Sequence, residues 1–186
     1  MADAPSFPSS IPTLHGDRVT LRPFAREDAR LVEALLARPE IAATTLNIPY
    51  PYPEGAALGW IATHPEQARL GVGFVWAIAV EGALVGTISI GVSRLHDRGT
   101  LGYWLGVEHW GKGYTSEAAQ LVVAWGFAAL QLHRIDAVCL PENRGSSRVM
   151  EKAGMTYEGT HRGFYRKGDT YLDVAQYAII RPDLSA

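Results

Sequence analysis

The residues best suited to chemistry lie in a glycine-rich stretch, residues 105–118, which joins a predicted strand to a predicted long helix. At the start of a helix several backbone N–H groups have no intrahelical partner, and the helix dipole adds partial positive charge. Glycines let the backbone approach a ligand closely and adopt positive φ. Lys112 adds a charge, and Thr115 and Ser116 add hydroxyl donors. The stretch therefore predicts a binding site for phosphate oxygens.

Three kinds of phosphate site, and one purely structural explanation, fit parts of this stretch. A Walker A loop needs a magnesium-binding hydroxyl after its lysine, but Gly113 follows Lys112. A dinucleotide-binding motif needs a third glycine where Ser116 stands, and an acidic residue after the next strand, and neither requirement is met well. The pyrophosphate of coenzyme A (CoA) is the third candidate ligand. The fourth explanation is a glycine-rich helix start that binds nothing.

The composition predicts a globular, cytoplasmic protein. Of its 186 residues 47% are hydrophobic, and a net charge of -2 argues against nucleic-acid binding. Enough charge for one phosphorylated cofactor comes from three basic spots: Lys112; Arg144 with Arg148; and Arg162, Arg166 and Lys167. The single cysteine, Cys139, indicates a reducing compartment and is interpreted as a small buried hydrophobe. The N-terminus does not resemble a signal peptide, and no apolar run suggests a membrane span.

Hydrophobic periodicity predicts one domain built on a mixed sheet. Residues 1–12 are expected to form a flexible lead or a surface strap, and residues 13–186 a single domain. The predicted strands cover residues 18–23, 74–80, 84–92, 100–107, 135–140, 156–165 and 171–180. The predicted helices cover residues 26–38, 53–70, 113–132 and 146–153.

Four spaced motifs favour CoA over the other ligands, because they occur together in the order typical of one enzyme family. Residues 13–181 resemble the GCN5-related N-acetyltransferases (GNAT), in the branch of the ribosomal-protein alanine acetyltransferases (RimJ/RimL type). The matching residues are Thr20 to Pro23 with Asp28; Gly102 to Leu105 with Trp110 to Tyr114, Glu117 and Ala118; Asn143, Ser146, Val149, Glu151, Lys152, Gly154 and Met155; and Gly168 with Asp173.

Two residues depart from the signature of the wider superfamily. That signature has glutamine or arginine where this chain has Trp110, although tryptophan is familiar within the branch. It has a small residue where this chain has Thr115. We expect the Thr115 hydroxyl to donate a hydrogen bond to the pyrophosphate.

The resemblance implies an α/β (α+β) fold with one mixed, mostly antiparallel and splayed sheet of six to seven strands and about four helices. It implies acetyl-CoA as co-substrate and a primary amine as acceptor. The strand before the glycine turn would bind the pantetheine arm along its edge, as if the arm were another strand. The residues implied in CoA binding are Trp104, Leu105, Gly106, Gly111, Lys112, Gly113, Tyr114, Thr115, Ser116, Asn143 and Ser146.

The resemblance also assigns roles in catalysis. Ser146 would protonate the departing thiolate, and the N–H of Leu105 would stabilise the oxyanion. Ser146 could instead only cap the helix that follows it. Asn143 would hold the pantetheine through its side-chain amide. The base that accepts the proton of the amine stays open among four residues: Tyr103, Glu108, Glu158 and His161.

The acceptor amine is the least determined part of the prediction. The resemblance favours the N-terminal α-amine of a protein, with a small amine (an amino acid, polyamine or antibiotic) as the alternative. Tyr50, Tyr52 and Trp60 lie in the region that forms one wall of the family's acceptor site, although such aromatic clusters commonly only pack. Two other classes stay open, a non-catalytic CoA-binding module and an NTPase. We expect no metal and no nucleic-acid or membrane partner, and a homodimer is possible.

Overall fold

The structure, a computed structural model, describes residues 7–181 of the chain. Its strands are β1 (Leu14–His15), β2 (Thr20–Arg22), β3 (Gly73–Val80), β4 (Ala83–Ser93), β5 (Arg98–Leu105), β6 (Arg134–Cys139), β7 (Thr156–Lys167) and β8 (Thr170–Ile180). They form one sheet in the order β1-β2-β3-β4-β5-β6-β8-β7. Every neighbouring pair is antiparallel except β5 and β6, which are parallel.

The α-helices of the described residues are α1 (Ala29–Leu36), α2 (Pro39–Thr44), α3 (Ala56–Leu70), α4 (Tyr114–Ala129) and α5 (Arg144–Lys152). The predicted fold class is confirmed, with one strand and one helix more than expected. β1 is too short to show periodicity. α2 begins at Pro39, where the missing N–H of proline costs nothing because it would have no partner. No helix in the described part of the chain is long and apolar enough to cross a membrane.

Each face of the sheet has its own hydrophobic core, because successive side chains of a strand point to opposite faces. On one face Trp76 of β3 packs with residues of α4 and α5, among them Val122 and Met150. On the other face Ala77, the next residue of β3, packs with residues of α1, α2 and α3. Trp104 of β5 belongs to this second core. The sheet is therefore held from both sides.

β5 and β6 pair along only three residues each and then separate. Arg98–Thr100 pair with Arg134–Asp136, whereas β5 continues to Leu105 and β6 to Cys139. The two parallel strands thus leave a gap between their carboxyl ends, as the predicted splay requires. The glycine turn follows β5 and the start of α5 follows β6, so both lie beside this gap.

Residues 7–12 lie on the first core. Phe7 and Ile11 pack against it, and Nε1 of Trp76 donates a hydrogen bond to the carbonyl of Pro12 at 2.7 Å. The guanidinium of Arg94 lies 3.9 Å from the centroid of the Phe7 ring. Residues 1–6, the first half of the predicted lead, lie outside the described residues.

Candidate active site

The glycine turn between β5 and α4 has a backbone that glycine adopts most readily. Gly111 and Gly113 have φ angles of 74° and 85°, in the left-handed region. Gly113 is the N-cap residue of α4 and, within the described residues, no side chain caps this helix start. The first N–H groups of α4 are therefore available to an anion.

A cleft of about 330 Å³ opens beside this turn. The turn and the start of α4 form one side of the cleft, and α5 forms the other. The carboxyl end of β5 lies at the inner end of the cleft. Most residues predicted to bind CoA line it: Trp104, Leu105, Gly111, Gly113, Thr115, Ser116, Asn143 and Ser146.

Gly106, Lys112 and Tyr114, which were also predicted to bind CoA, do not line the cleft. The N–H of Gly106 donates to the carbonyl of Val85 at 2.8 Å, within the sheet. The carbonyl of Lys112 accepts a hydrogen bond from Nη1 of Arg18 at 3.0 Å. The ring of Tyr114 lies beneath the same guanidinium, 5.5 Å from its carbon atom. Each of these three residues has a partner within the protein, and their contacts with CoA stay predictions.

The edge of β5 presents a backbone donor to the gap. Successive N–H groups of a strand alternate between its two edges. Because the N–H of Gly106 points to β4, that of Leu105 points toward the gap. The carbonyl of Leu105 already accepts a hydrogen bond from Nε1 of Trp110 at 2.7 Å. Trp110, one of the two residues that depart from the superfamily signature, thus holds the end of β5 against the glycine turn.

Ser146 and Tyr103 form a pair of hydroxyl groups that lines the cleft. Their oxygens lie 2.7 Å apart, and the Tyr103 hydroxyl also donates to the backbone carbonyl of Ser146 at 3.2 Å. Burial raises the pKa of Tyr103 above its ordinary value, and the hydrogen bond with Ser146 only partly opposes this. Tyr103 therefore stays protonated at neutral pH and can serve as a donor.

The residue that caps α5 is Asn143, so the capping function considered for Ser146 is carried out by another side chain. Oδ1 of Asn143 accepts from the N–H of Ser146 at 3.0 Å. Nδ2 of Asn143 donates to the carbonyl of Thr44 at 3.2 Å. A contact between this amide and pantetheine would use its second N–H or the second lone pair of Oδ1. The Ser146 hydroxyl therefore takes no part in capping α5.

A second, larger depression of about 1180 Å³, called the groove below, joins the cleft. Its floor is one face of the sheet, where Thr87, Ser89, Gly91 and Gly102 present small side chains or none. Tyr52 and Trp60 line one wall, whereas Tyr50 does not line the groove. The residues common to cleft and groove are Thr44, Thr45, Tyr103, Trp104 and Ser146.

One lysine ties the two walls of the groove together. Nζ of Lys167, at the end of β7, donates to the carbonyls of Ala42 and Thr45, the latter at 2.7 Å. The last carbonyls of a helix have no intrahelical partner, so Lys167 satisfies groups that α2 leaves free. The β7–β8 hairpin is thereby anchored to the other wall.

The charges that line the groove are paired with one another. Asp136 is only 3% exposed, and its Oδ1 accepts from the hydroxyl of Thr100 at 2.8 Å. Its Oδ2 lies 3.2 Å from Nε of Arg98. Arg134 forms a bidentate ion pair with Glu158. The two carboxylates and two guanidinium groups of the described lining therefore balance.

Comparison with known proteins decides the family of the chain. Residues 18–156 match the family model described as an acetyltransferase (GNAT) domain. The chain belongs to the GNAT family. It is 31% identical over 174 residues to the uncharacterized N-acetyltransferase YoaA of Bacillus subtilis, a match that covers 92% of this chain and 98% of YoaA. Over 151 residues it is 26% identical to the spermidine N(1)-acetyltransferase of Escherichia coli, covering 80% and 77% of the two chains.

The fold agrees with that of a solved GNAT-like structure. Mycobacterium smegmatis RimJ, solved in complex with CoA-disulfide, superimposes with a TM-score of 0.85 over 97% of this chain and 93% of RimJ, at 22% identity. The GNAT domain and the N-acetyltransferase relatives make this chain an N-acetyltransferase that moves an acetyl group from acetyl-CoA to an amine. The NTPase and the non-catalytic module have no support among these relatives.

The cleft of this GNAT enzyme is chemically suited to CoA. Arg148 and Lys152 line it from α5, one helical turn apart, and bring two cations to the side opposite the glycine turn. The sequence analysis singled out Arg148 only for its charge and Lys152 only as part of a motif. Their spacing of four residues in a predicted helix was the signal that could have joined them.

The four candidates for the base of the GNAT reaction differ in their surroundings. Glu108 and Glu158 each form an ion pair with an arginine, and Glu108 lines neither the cleft nor the groove. Tyr103 is a protonated donor. His161 lines the groove and, among the described residues, takes part in no ion pair. His161 therefore remains a candidate base that no ion pair occupies in the described part of the chain, and the identity of the base stays a prediction.

Cys139 does not have the surroundings of a nucleophile. The thiol lies in the second half of β6, with Sγ 3.7 Å from the hydroxyl of Ser147. Burial raises the pKa of Cys139, and the hydrogen bonds from Ser147 and Ser146 only partly counter this effect. A raised pKa keeps the sulfur in the unreactive thiol form, which agrees with the packing role expected from the sequence.

Proposed function

We propose that this N-acetyltransferase acetylates the N-terminal α-amine of a protein, with CoA in the cleft and the acceptor chain in the groove. The observation that carries the proposal is the meeting of cleft and groove at Tyr103, Trp104 and Ser146. A donor and an acceptor that enter from the two depressions would come together there. Bringing two reactants to one point supplies much of the rate enhancement of a bimolecular reaction.

The size of the groove supports an extended acceptor. Pockets for small molecules reach about 1,000 Å³ at their upper end, and the groove measures about 1180 Å³. From Thr100 to Trp104 the floor follows the five residues of β5, a length of roughly 13 Å at the rise of an extended strand. A peptide of about four residues spans the same length. The small side chains of the floor allow a peptide backbone to approach it closely.

The charge of the groove argues against a polyamine, the acceptor named for the spermidine acetyltransferase relative. A polycation needs carboxylates that are free to bind it. Asp136 and Glu158 are the carboxylates in the groove lining, and each already faces an arginine. A peptide, whose first residues carry one amine and neutral amides, matches this balanced surface better.

The chemistry assigns work to residues at the meeting point. Attack of an amine on a thioester places negative charge first on the carbonyl oxygen and then on the sulfur. The N–H of Leu105 would stabilise the oxygen. As the C–N bond forms and the C–S bond breaks, Ser146 would donate its proton to the sulfur while Tyr103 stays protonated and hydrogen-bonded to Ser146. The proton that the amine releases would restore the Ser146 hydroxyl, so that one proton is given up and one is taken up in each turnover. The N–H groups at Gly113, Thr115 and Ser116 would hold the pyrophosphate.

A matched peptide series tests the proposal. CoA release would be measured with a lysine-free hexapeptide, the same peptide with its N-terminus blocked, the dipeptide of its first two residues, and spermidine. We expect turnover of the free hexapeptide, none of the blocked one, and a lower kcat/KM for the dipeptide. A kcat/KM for spermidine above that of the hexapeptide would overturn the protein acceptor. Absence of CoA release with every amine would overturn acetyl transfer itself.

A further inference from the structure

We infer that Arg18, which lies outside the cleft, is a positioning residue that fixes the glycine turn in its phosphate-binding conformation. The inference rests on the proposed function in one respect, the placement of the CoA pyrophosphate at this turn. It concerns a residue 94 positions before Lys112 in the chain. No motif of the sequence linked the two.

Arg18 contacts the turn at three points. Its Nη1 donates to the carbonyl of Lys112 at 3.0 Å. Its guanidinium covers the ring of Tyr114, the first residue of α4. Its Nη2 lies 3.2 Å from the position that a Cβ atom would occupy at Gly113. The guanidinium therefore packs against the outer side of the turn over three consecutive residues.

The orientation of one peptide unit follows from these contacts. In a trans peptide the C=O and the following N–H point in opposite directions. The carbonyl of Lys112 points to Arg18, so the N–H of Gly113 points away from Arg18. Gly113 lines the cleft, whereas Arg18 does not. By holding the carbonyl outside, Arg18 turns a backbone donor toward the anion.

Arg18 is itself held by the helix that it serves. The carboxylate of Glu117, in the first turn of α4, accepts from Nε of Arg18 at 3.0 Å. It also accepts from the backbone N–H groups of Arg18 at 2.7 Å and Val19 at 3.1 Å. Burial works to raise the pKa of Glu117, but these hydrogen bonds lower it below its ordinary value. The ionised carboxylate thus locks the start of β2 onto α4.

This arrangement supplies order where glycine alone would not. Gly111 and Gly113 allow the positive φ angles of the turn, but they also allow many other conformations once the turn is free. Ordering such a turn at the moment of binding would cost affinity. The hydrogen bond from Arg18 removes that cost in advance, because the turn is already held in place before CoA arrives.

Two acetyl donors distinguish this role from general stabilisation. Acetyl-CoA carries the pyrophosphate, whereas acetyl-pantetheine carries the same thioester without it. For Arg18→Ala we expect KM for acetyl-CoA to rise about tenfold, the loss of one hydrogen bond to a charged group, with kcat nearly unchanged. KM for acetyl-pantetheine should stay within about twofold, since that donor does not reach the turn.

Two further variants keep the test decisive. Glu117→Gln removes the charge that holds Arg18 and should reproduce the donor-specific rise if Arg18→Ala does not fold. Arg69→Ala removes an exposed arginine of a surface ion pair with Glu66 and should change neither KM. An equal rise for both donors, or no rise for either, in folded Arg18→Ala overturns the positioning role. A wild-type enzyme that does not prefer acetyl-CoA over acetyl-pantetheine overturns instead the placement of the pyrophosphate.

Discussion

The cleft and the groove meet at Ser146, yet the protein builds them in different ways. The cleft offers free backbone N–H groups at the glycine turn and at the end of β5, and α5 adds the charged side chains of Arg148 and Lys152. The groove depends on side chains from the loop after α2, the sheet face and the β7–β8 hairpin. An acetyl donor that a whole family shares can thus be recognised in large part by backbone geometry. Acceptor choice is left to side chains, which can change without altering the fold.

We expect the largest effect from a side chain placed at the glycine turn of the cleft. Gly113→Asp should weaken CoA binding by about a hundredfold or more, because aspartate disfavours φ of 85° and brings negative charge beside the phosphates. Calorimetric titration with CoA measures the effect. Gly55→Asp is the matched control, since Gly55 is also a helix N-cap with positive φ and has open space around it. Unchanged CoA affinity in Gly113→Asp would remove the turn from the site.

Where the cleft and the groove meet, a substitution should lower the rate of acetyl transfer and leave CoA affinity nearly unchanged. Ser146→Ala should lower kcat about a hundredfold, the typical contribution of a general acid, with CoA affinity nearly intact. Steady-state kinetics and calorimetry provide the two readouts. Ser147→Ala alters the adjacent, buried hydroxyl and should keep kcat near the wild-type value.

Tyr103→Phe, alone and combined with Ser146→Ala, extends this prediction. If the two hydroxyls act as one chain, the double variant should be no slower than Ser146→Ala, since their effects are not additive. Independent, additive losses would separate Tyr103 from the proton path.

The groove wall should respond to acid in a way that the cleft does not. His64 packs 4.5 Å from the ring of Trp60, and neither ring nitrogen has a hydrogen-bond partner in the described residues. Burial lowers the pKa of His64 to about 4. A depressed histidine pKa contributes stability that is complete above the unfolded value, near 6.5, and is lost as pH falls toward 4.

Urea unfolding at pH 7.5 and pH 5 tests this contribution. The wild-type free energy of unfolding should fall on the order of 2 kcal/mol more than that of His64→Phe over this interval. His96→Phe, at an exposed position, should lose as much as the wild type. Equal losses in wild type and His64→Phe would exclude His64 as the sensitive group.

We expect the smallest effect from a change at the wall of the groove. Lys167→Met keeps much of the side-chain length but removes the donor that ties the hairpin to α2. KM for the acceptor peptide should rise about threefold to fivefold, because only part of the free energy of the two lost hydrogen bonds would appear in acceptor binding. KM for acetyl-CoA should not change. A rise in both constants would mean that the two halves are coupled through this contact.

The same contrast explains which parts could be predicted from the sequence. The strands, the long helix and the glycine turn follow from local periodicity and glycine spacing, and the structure reproduces them within a few residues. The Gly113 turn was recognisable because its chemistry lies in consecutive residues. α2 was not predicted, because Pro39 signals a helix end as readily as a helix start.

Contacts between distant segments could not be predicted in this way. Arg18 acts on Lys112 and Glu117, and Lys167 acts on the end of α2, across separations that no periodicity records. Asn143 was singled out, but its role as the cap of α5 depends on where the helix begins. The acceptor groove combines segments from most of the chain, so its extent and charge balance became visible only after folding.

The short pairing between β5 and β6 also has a mechanical consequence. It joins two half-sheets, β1 to β5 and β6 to β8, through a three-residue seam at one end. If the pantetheine arm of CoA binds in the open end as proposed, it would act as a removable strand. Its amides would then complete backbone hydrogen bonds that β5 and β6 leave unmade, and departure of CoA would open the gap again. Under this proposal each catalytic turnover would also complete and reopen the sheet.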